Sequence, residues 1–219
     1  MKRINAIYGY GGFAREIMPL LNEQYPNDRN IFVIHRKFAP KTMKINNHEL
    51  VIFEDLLTYN NFERFMIVSI SDPSKRSLIS KERNKCKLNN FNIISSKSVI
   101  MDNVEYQNGF IACPFTILTS NIRIGLNFHL NIYSYVAHDC IIGDNVTFAP
   151  AVKCNGNVTI EDNVYVGTGA IIKNGSRERP IIIGENSVIA PGSFVTKNVE
   201  PHTTVFGNPA KKLSKSSIK

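Results

Sequence analysis

At 219 residues, 43% hydrophobic and 20% charged, the chain has the apolar content of a folded protein and length for one large domain or two small ones, with two the expected division. The net charge of +8 suits polyanionic small molecules such as nucleotide diphosphates; outside residues 75–87 and the tail Lys211, Lys212, Lys215 and Lys219 the basic residues are dispersed, and without a helix-turn-helix, zinc-ligand or RNA-binding signature they argue against nucleic acid. No apolar run approaches the roughly 18 residues of a membrane span, and the four cysteines (Cys86, Cys113, Cys140, Cys154) lack CxxC spacing, so reduced thiols in a soluble, cytoplasmic protein are expected.

In chain order, residues 4–8 form a short apolar strand that runs into Gly9-Tyr10-Gly11-Gly12 and then a helix over 13–24. Phe13, Ile17, Leu20 and Leu21 share one face of that helix, and Pro19 is expected to interrupt or kink it. Strands follow at 31–34, 50–53 and 65–69, then a helix over 72–85 with Asp72 as N-cap and Pro73 in its first turn. Strands alternating with helices imply a small, parallel, Rossmann-like α/β sheet.

From residue 98 the rhythm changes. Ile100 and Leu118 open a loose six-residue phase that becomes strict at Ile124, Leu130, Val136, Ile142, Phe148, Cys154, Ile160, Val166 and Ile172, and resumes at Ile183, Ile189 and Val195. A second small or apolar residue follows four positions later, as at Val146, Val152, Val158, Val164, Ala170 and Val199, with Gly, Asn and Asp between. This is the signature of a parallel β-helix of hexapeptides: three make a triangular coil of about 18 residues, with the aliphatics stacked inside and Gly, Asn and Asp at the corners. Periodicity leaves the hand open. The 11-residue step from Ile172 to Ile183 makes residues 174–180 an exposed loop at a corner. After Val199 the chain is expected to leave the repeat, turn at Gly207-Asn208-Pro209-Ala210, and fray over 214–219. The domains expected are 1–97, 98–205, and a turn and basic tail at 206–219.

Two groups of residues carry chemistry. Gly9, Gly11 and Gly12 lie between a strand and a helix, where backbone N–H groups approach a diphosphate or sugar hydroxyl, or simply make a tight turn. The dinucleotide fingerprint is incomplete, since Ala14 and Arg15 supply no further glycine, so NAD is not expected. His35, Arg36, Ser71 and Asp72 gather at the same sheet edge. His138, third in its hexapeptide, points off the coil beside Asp139, an arrangement fit for a general base oriented by a carboxylate, or for a solvated histidine. His129, at what reads as a corner, is its nearest rival; His35, His48 and His202 lie elsewhere. No metal-ligand spacing or serine-nucleophile motif is present.

The run Asn131-Ile132-Tyr133-Ser134-Tyr135-Val136-Ala137-His138-Asp139-Cys140, with Ile142-Gly143-Asp144, Thr147-Phe148-Ala149-Pro150 and Cys154-Asn155-Gly156, resembles the sialic-acid O-acetyltransferase-type family of left-handed β-helix acyltransferases. Within it, the likeness is to bacterial nucleotide-sugar N-acetyltransferases acting on GDP-perosamine or on dTDP- or UDP-linked 4-amino-4,6-dideoxyhexoses. The resemblance implies a left-handed helix, an acetyl-CoA co-substrate without metal, a homotrimer, and a place in O-antigen or other surface polysaccharide (lipopolysaccharide) synthesis. It implies catalytic roles for His138, Asp139 and Gly156, the last offering its N–H to the thioester oxygen. It implies nucleotide-sugar contacts at Gly9, Gly11, Gly12, Phe13, His35, Arg36, Asp72 and Asn131, and acetyl-CoA contacts at Thr147, Gly156, Thr168 and Pro191. Thr147 stands where some members carry a second active-site histidine, and His35 and Arg36 replace acidic residues, which leaves the nucleotide and the sugar stereochemistry open. The alternatives are a sugar or serine O-acetyltransferase and a non-catalytic nucleotide-sugar-binding β-helix.

Overall fold

The computed structural model describes residues 2–213. The chain divides into two compact units, Met1–Ile93 and Ile94–Lys219.

The first unit runs β1 (Lys2–Tyr8), α1 (Gly12–Gln24), β2 (Arg29–Ile34), β3 (Lys44–Ile45), β4 (His48–Ile52), α2 (Phe53–Leu56), β5 (Phe62–Val68) and α3 (Pro73–Lys85). Its sheet has the order β3-β4-β2-β1-β5, parallel except for the β3–β4 pair. The central strands read as continuous apolar runs because both faces are covered, and Ile4, Ile7, Phe32, Val33 and Met66 are fully buried.

Helix α1 departs from expectation in two ways. It passes through Pro19 without interruption, and of the expected face it buries Ile17 and Leu21, with Ala14 and Met18 beside them, while Phe13 and Leu20 are only half-buried. Pro19 removes only the donor to the Arg15 carbonyl, and both residues lie on the exposed side, where the loss of one helix hydrogen bond leaves no buried polar group unpaired. In α3 the expected cap is in place, the Lys75 N–H donating to Asp72 Oδ1 at 2.9 Å. Phe53 belongs to α2 and not to the preceding strand, and neither β3 nor α2 has a periodic signal long enough to read.

The second unit is a coiled prism of short parallel strands. One face stacks Val99–Ile100, Ile117–Leu118, Tyr135–Val136, Lys153–Cys154, Ile171–Ile172 and Phe194–Val195 in unbroken parallel register. Every residue of the strict six-residue series, from Ile124 to Val195, is buried, and so are Val146, Val152, Val158, Val164, Ala170 and Val199. Corners turn through left-handed residues, as at Asn121 (φ 55°), Asp139 (φ 58°) and Asn157 (φ 58°), which is why Asn and Asp recur there. Leu118 is buried and Ile100 partly buried, so the loose phase already packs on the core.

Inside the prism Phe110 stacks on Phe128 at 5.7 Å between ring centroids, and Phe128 meets Phe148 edge-on at 5.2 Å. Replacing Phe148 with Ala should leave a cavity and cost about 3–5 kcal/mol, read as a lowered urea midpoint with the slope unchanged.

The chain does not leave the repeat after Val199. Thr204–Phe206 pairs in parallel with Val188–Ile189 and seats Val205 in the core, and only then does Lys211–Lys212 fold back antiparallel. The hexapeptide phase hides this strand because the step from Val195 to the next inward residue, Val199, is four residues instead of six: Val199 bridges Ile183, and Val205 pairs with Ile189 one regular step later. Residues 214–219, expected to fray, lie outside the described residues.

Candidate active site

In the first unit the parallel strands end at one edge, and the turn after β1 borders a cavity of about 690 Å³. Gly9, Gly11, Gly12 and Phe13 line it from the β1–α1 side, Ser69 and Lys75 from the other. Gly9 has φ 108°, and a Cβ there would lie 2.9 Å from Ser69 Oγ, so this position requires glycine. A Cβ on Gly11 or Gly12 would meet nothing within 4 Å, so the space over the first N–H groups of α1 is open to a ligand.

The polar residues at this edge separate. Tyr8 donates its O–H to His35 Nδ1, and His35 Nε2–H donates to Glu82 Oε1 at 3.0 Å. Burial first, and the Glu82 charge second, push the Tyr8 phenol up to about 12, so it stays a neutral donor. His35 and Arg36 border an adjoining cavity with Glu54 and Glu82 instead of the glycine-lined one, and Arg36 is exposed, paired with Asp55 at 2.8 Å. Asp72 is spent on capping α3. Tyr8, Ser69 and Lys75 were missed in sequence; the last residue of a strand and the first turn of a helix at this edge are the signals that mark them.

In the second unit His138 and Asp139 lie at a prism corner just after the strand Tyr135–Val136, and both side chains are exposed (57% and 47%). Nδ1–H of His138 donates to Asp139 Oδ2 at 2.7 Å. Nε2, which then holds the lone pair, has no hydrogen-bond partner among the described residues and faces outward. The hydrogen bond from His138 is the main cause that holds the Asp139 carboxyl below the usual carboxylate range, with further help from the Asn121 amide (3.3 Å) and the Arg177 charge. With its pKa lowered, the carboxylate persists through neutral pH, and what the pair contributes is lost only as pH falls through that lowered value.

Gly156 sits one coil further on, directly beneath the imidazole. A Cβ there would lie 2.5 Å from His138 Cε1 and 2.6 Å from Nε2, so glycine is what lets the ring occupy this place. The Gly156 N–H donates to no acceptor among the described residues, whereas its carbonyl accepts from Gly175 N–H at 2.9 Å. A ring nitrogen with a free lone pair and a free backbone donor are thus adjacent, two kinds of group that acyl transfer to an amine can use. Asp139→Asn, which weakens the orientation of the ring, should lower turnover about tenfold with little change in binding of either substrate, measured by steady-state kinetics.

The other candidates are placed differently. Asn131 is buried and gives its amide N–H to the Phe148 carbonyl at 2.7 Å. Thr147 lies in the strand Thr147–Phe148 and is buried, while Thr168 and Pro191 are exposed at another corner, where the Gly192 N–H donates to the Thr168 carbonyl. His129, expected at a corner, is in the strand His129–Leu130 and fully buried, which removes it as a rival base. Among the described residues no group of His, Cys, Asp and Glu is placed to hold a metal ion, and no helix is long and apolar enough to cross a membrane.

No protein-family model matches the sequence. The chain is 40% identical over 214 residues to the GDP-perosamine N-acetyltransferase of Escherichia coli O157:H7, covering 96% of each protein. Among solved structures, WeeI from Acinetobacter baumannii AYE is 41% identical, with a TM-score of 0.92 over 97% of this chain and 100% of that one. PerB from Caulobacter crescentus, solved with CoA and GDP-perosamine, shares the fold at 20% identity, with a TM-score of 0.84 over 96% of this chain and 97% of that one. With this likeness running the length of the chain, and with a coiled prism that carries an outward histidine over a glycine, the protein belongs to the hexapeptide-repeat, left-handed β-helix acyltransferases, in the branch of the nucleotide-sugar N-acetyltransferases.

Proposed function

We infer that the protein transfers the acetyl group of acetyl-CoA to the 4-amino group of a nucleotide-linked 4-amino-4,6-dideoxyhexose, with GDP-perosamine the leading acceptor. The observation that carries this reading is the imidazole of His138, braced by Asp139 at 2.7 Å and seated on Gly156. The 40% identity to the Escherichia coli GDP-perosamine enzyme supports the choice of nucleotide.

In this mechanism His138 Nε2 accepts a proton from the amine as its nitrogen adds to the thioester carbonyl. The Gly156 N–H stabilises the developing oxyanion, and the tetrahedral adduct collapses with departure of the coenzyme A thiolate. The proton held by His138 returns to that thiolate or to solvent, so the products are the acetamido sugar and free thiol. Asp139 holds the ring and disperses the charge of the imidazolium.

In the same reading, residues 1–97 form a Rossmann-like domain that binds the nucleotide sugar, with Gly9, Gly11, Gly12 and Phe13 around its diphosphate and His35 and Arg36 toward the nucleoside. The β-helix of 98–205 binds acetyl-CoA, with Thr168 and Pro191 along the pantetheine. The active form is a cytoplasmic homotrimer serving O-antigen synthesis, and the turn and basic tail of 206–219 lie outside the chemistry. Thiol release on incubation with acetyl-CoA and GDP-, UDP- and dTDP-linked 4-amino sugars tests the reading. Turnover is expected with the GDP-linked amine and absent with its 4-hydroxy counterpart; release only with the hydroxy sugar would make the enzyme an O-acetyltransferase instead.

A further inference from the structure

The corner that carries Asp139 repeats in the two coils before it. Asn103, Asn121 and Asp139 are spaced eighteen residues apart and all stand in the left-handed region (φ 53°, 55° and 58°), so their side chains form one column. Asn103 Nδ2 donates to Asn121 Oδ1 at 2.7 Å, and Asn121 Nδ2 donates to Asp139 Oδ1 at 3.3 Å. Asp139 Oδ2 accepts the His138 Nδ1–H at 2.7 Å, so a single chain of hydrogen bonds crosses three coils and ends on the imidazole.

Another corner of the prism shows what such a column does by itself. There the Asn127 amide donates to Asn145 Oδ1 at 3.1 Å, passing from one asparagine to the next in the same sense. At the His138 corner the third member is an aspartate, which when ionised only accepts. Donors therefore converge on it from two sides, the Asn121 amide on Oδ1 and the ring on Oδ2. Asn121 must turn its NH2 toward the carboxylate, and the Asn103 amide satisfies the oxygen that faces the other way. Among the described residues the Asp139 carboxylate has no further hydrogen-bond donor. Glu105 and Arg123 border the same recess without an ion pair to it, and the Arg177 charge acts only through space.

We propose that Asn121, backed by Asn103, is a positioning residue for acetyl transfer: it holds the Asp139 carboxylate turned to receive His138 Nδ1–H, which leaves the Nε2 lone pair free for the amine. The inference rests on the reading of His138 as the base and extends its support two coils along the prism. Which ring nitrogen carries the proton is set by the hydrogen bond the other makes, so a carboxylate free to rotate gives up the choice of tautomer. One exposed bond of this kind is weak, but here it fixes the only side-chain partner of the ring among the described residues.

Two variants test this. Asn121→Gly removes the side chain and suits the left-handed backbone, whereas Asn121→Asp keeps the shape, offers no donor and sets a second negative charge against Asp139. Unfolding midpoints check that each folds. Asn121→Gly should lower kcat about threefold and Asn121→Asp about tenfold, with both KM values within twofold of wild type. In an Asp139→Gly background, Asn121→Gly should lower kcat no further. Nitrogen-15 spectra of ligand-free, histidine-labelled protein, with His138 assigned by its absence from His138→Asn, should show the Nε2–H form gaining in both variants. A kcat within twofold of wild type in Asn121→Asp overturns the proposal, as does an unchanged His138 tautomer. A loss from Asn121→Gly that persists undiminished in the Asp139→Gly background also overturns it, leaving the column as a brace for the corner. The spectra need no turnover, so an inactive protein whose ring tautomer still follows Asn121 refutes only the acetyltransferase reading.

Discussion

Replacing His138 with Asn or Ala is expected to lower kcat about a hundredfold or more while leaving the fold and the affinity for both substrates near wild type. The side chain is exposed and packs no core, so its loss costs little stability. The chemical loss is large because either change removes the free lone pair of Nε2 beside Gly156. The residual rate comes from bringing amine and thioester together and from the backbone donor, which neither substitution removes. Steady-state kinetics with saturating acetyl-CoA and amino sugar, together with an unfolding curve, reads both halves of the expectation.

The second large effect is expected from Gly156→Ala. The added methyl would stand 2.5 Å from His138 Cε1 and 2.6 Å from Nε2, closer than any real contact, so the imidazole must swing away. A displacement of about 1 Å at a reacting group is worth roughly a hundredfold in rate. Alanine keeps the backbone N–H, and Gly156 has no left-handed backbone to strain, so the loss reports the position of the ring and not the oxyanion donor. The exposed end of a histidine gives way easily, and the unfolding midpoint should hardly move. Turnover within a few fold of wild type would mean that the ring works from some other rotamer.

The prism was readable residue by residue because a buried column repeats wherever the coil returns to the same face: Ile124, Leu130 and Val136 declare the period, and Asn at the corners declares the turns. The His138–Asp139 pair was readable for the same reason, since its place in the hexapeptide sends the imidazole outward. What could not be read depends on contacts between coils. Gly156 was named through the resemblance, and the eighteen-residue coil puts it in one column with His138, but the close approach of the ring that its missing Cβ allows leaves no local pattern. His129 looked like a corner and is a strand residue, because the phase alone does not say where a two-residue strand starts. In the first unit, Pro19 was expected to interrupt or kink a helix that runs on through it, because it sits on the exposed side, and α2 is a single turn too short for any period. The pairing of His35 with Tyr8 and Glu82 joins residues up to 47 positions apart, which only the sheet topology brings together.

The claim on which the account stands is that His138 removes the amine proton in the step that forms the amide. Rapid-quench single turnover, with enzyme in excess over GDP-perosamine and acetyl-CoA saturating, isolates that step from product release. The wild-type protein should complete acetyl transfer in one fast phase. His138→Asn, with both substrates demonstrably bound, should do so about a hundredfold or more slower. Equal single-turnover rates in the two proteins would contradict the account and require another base.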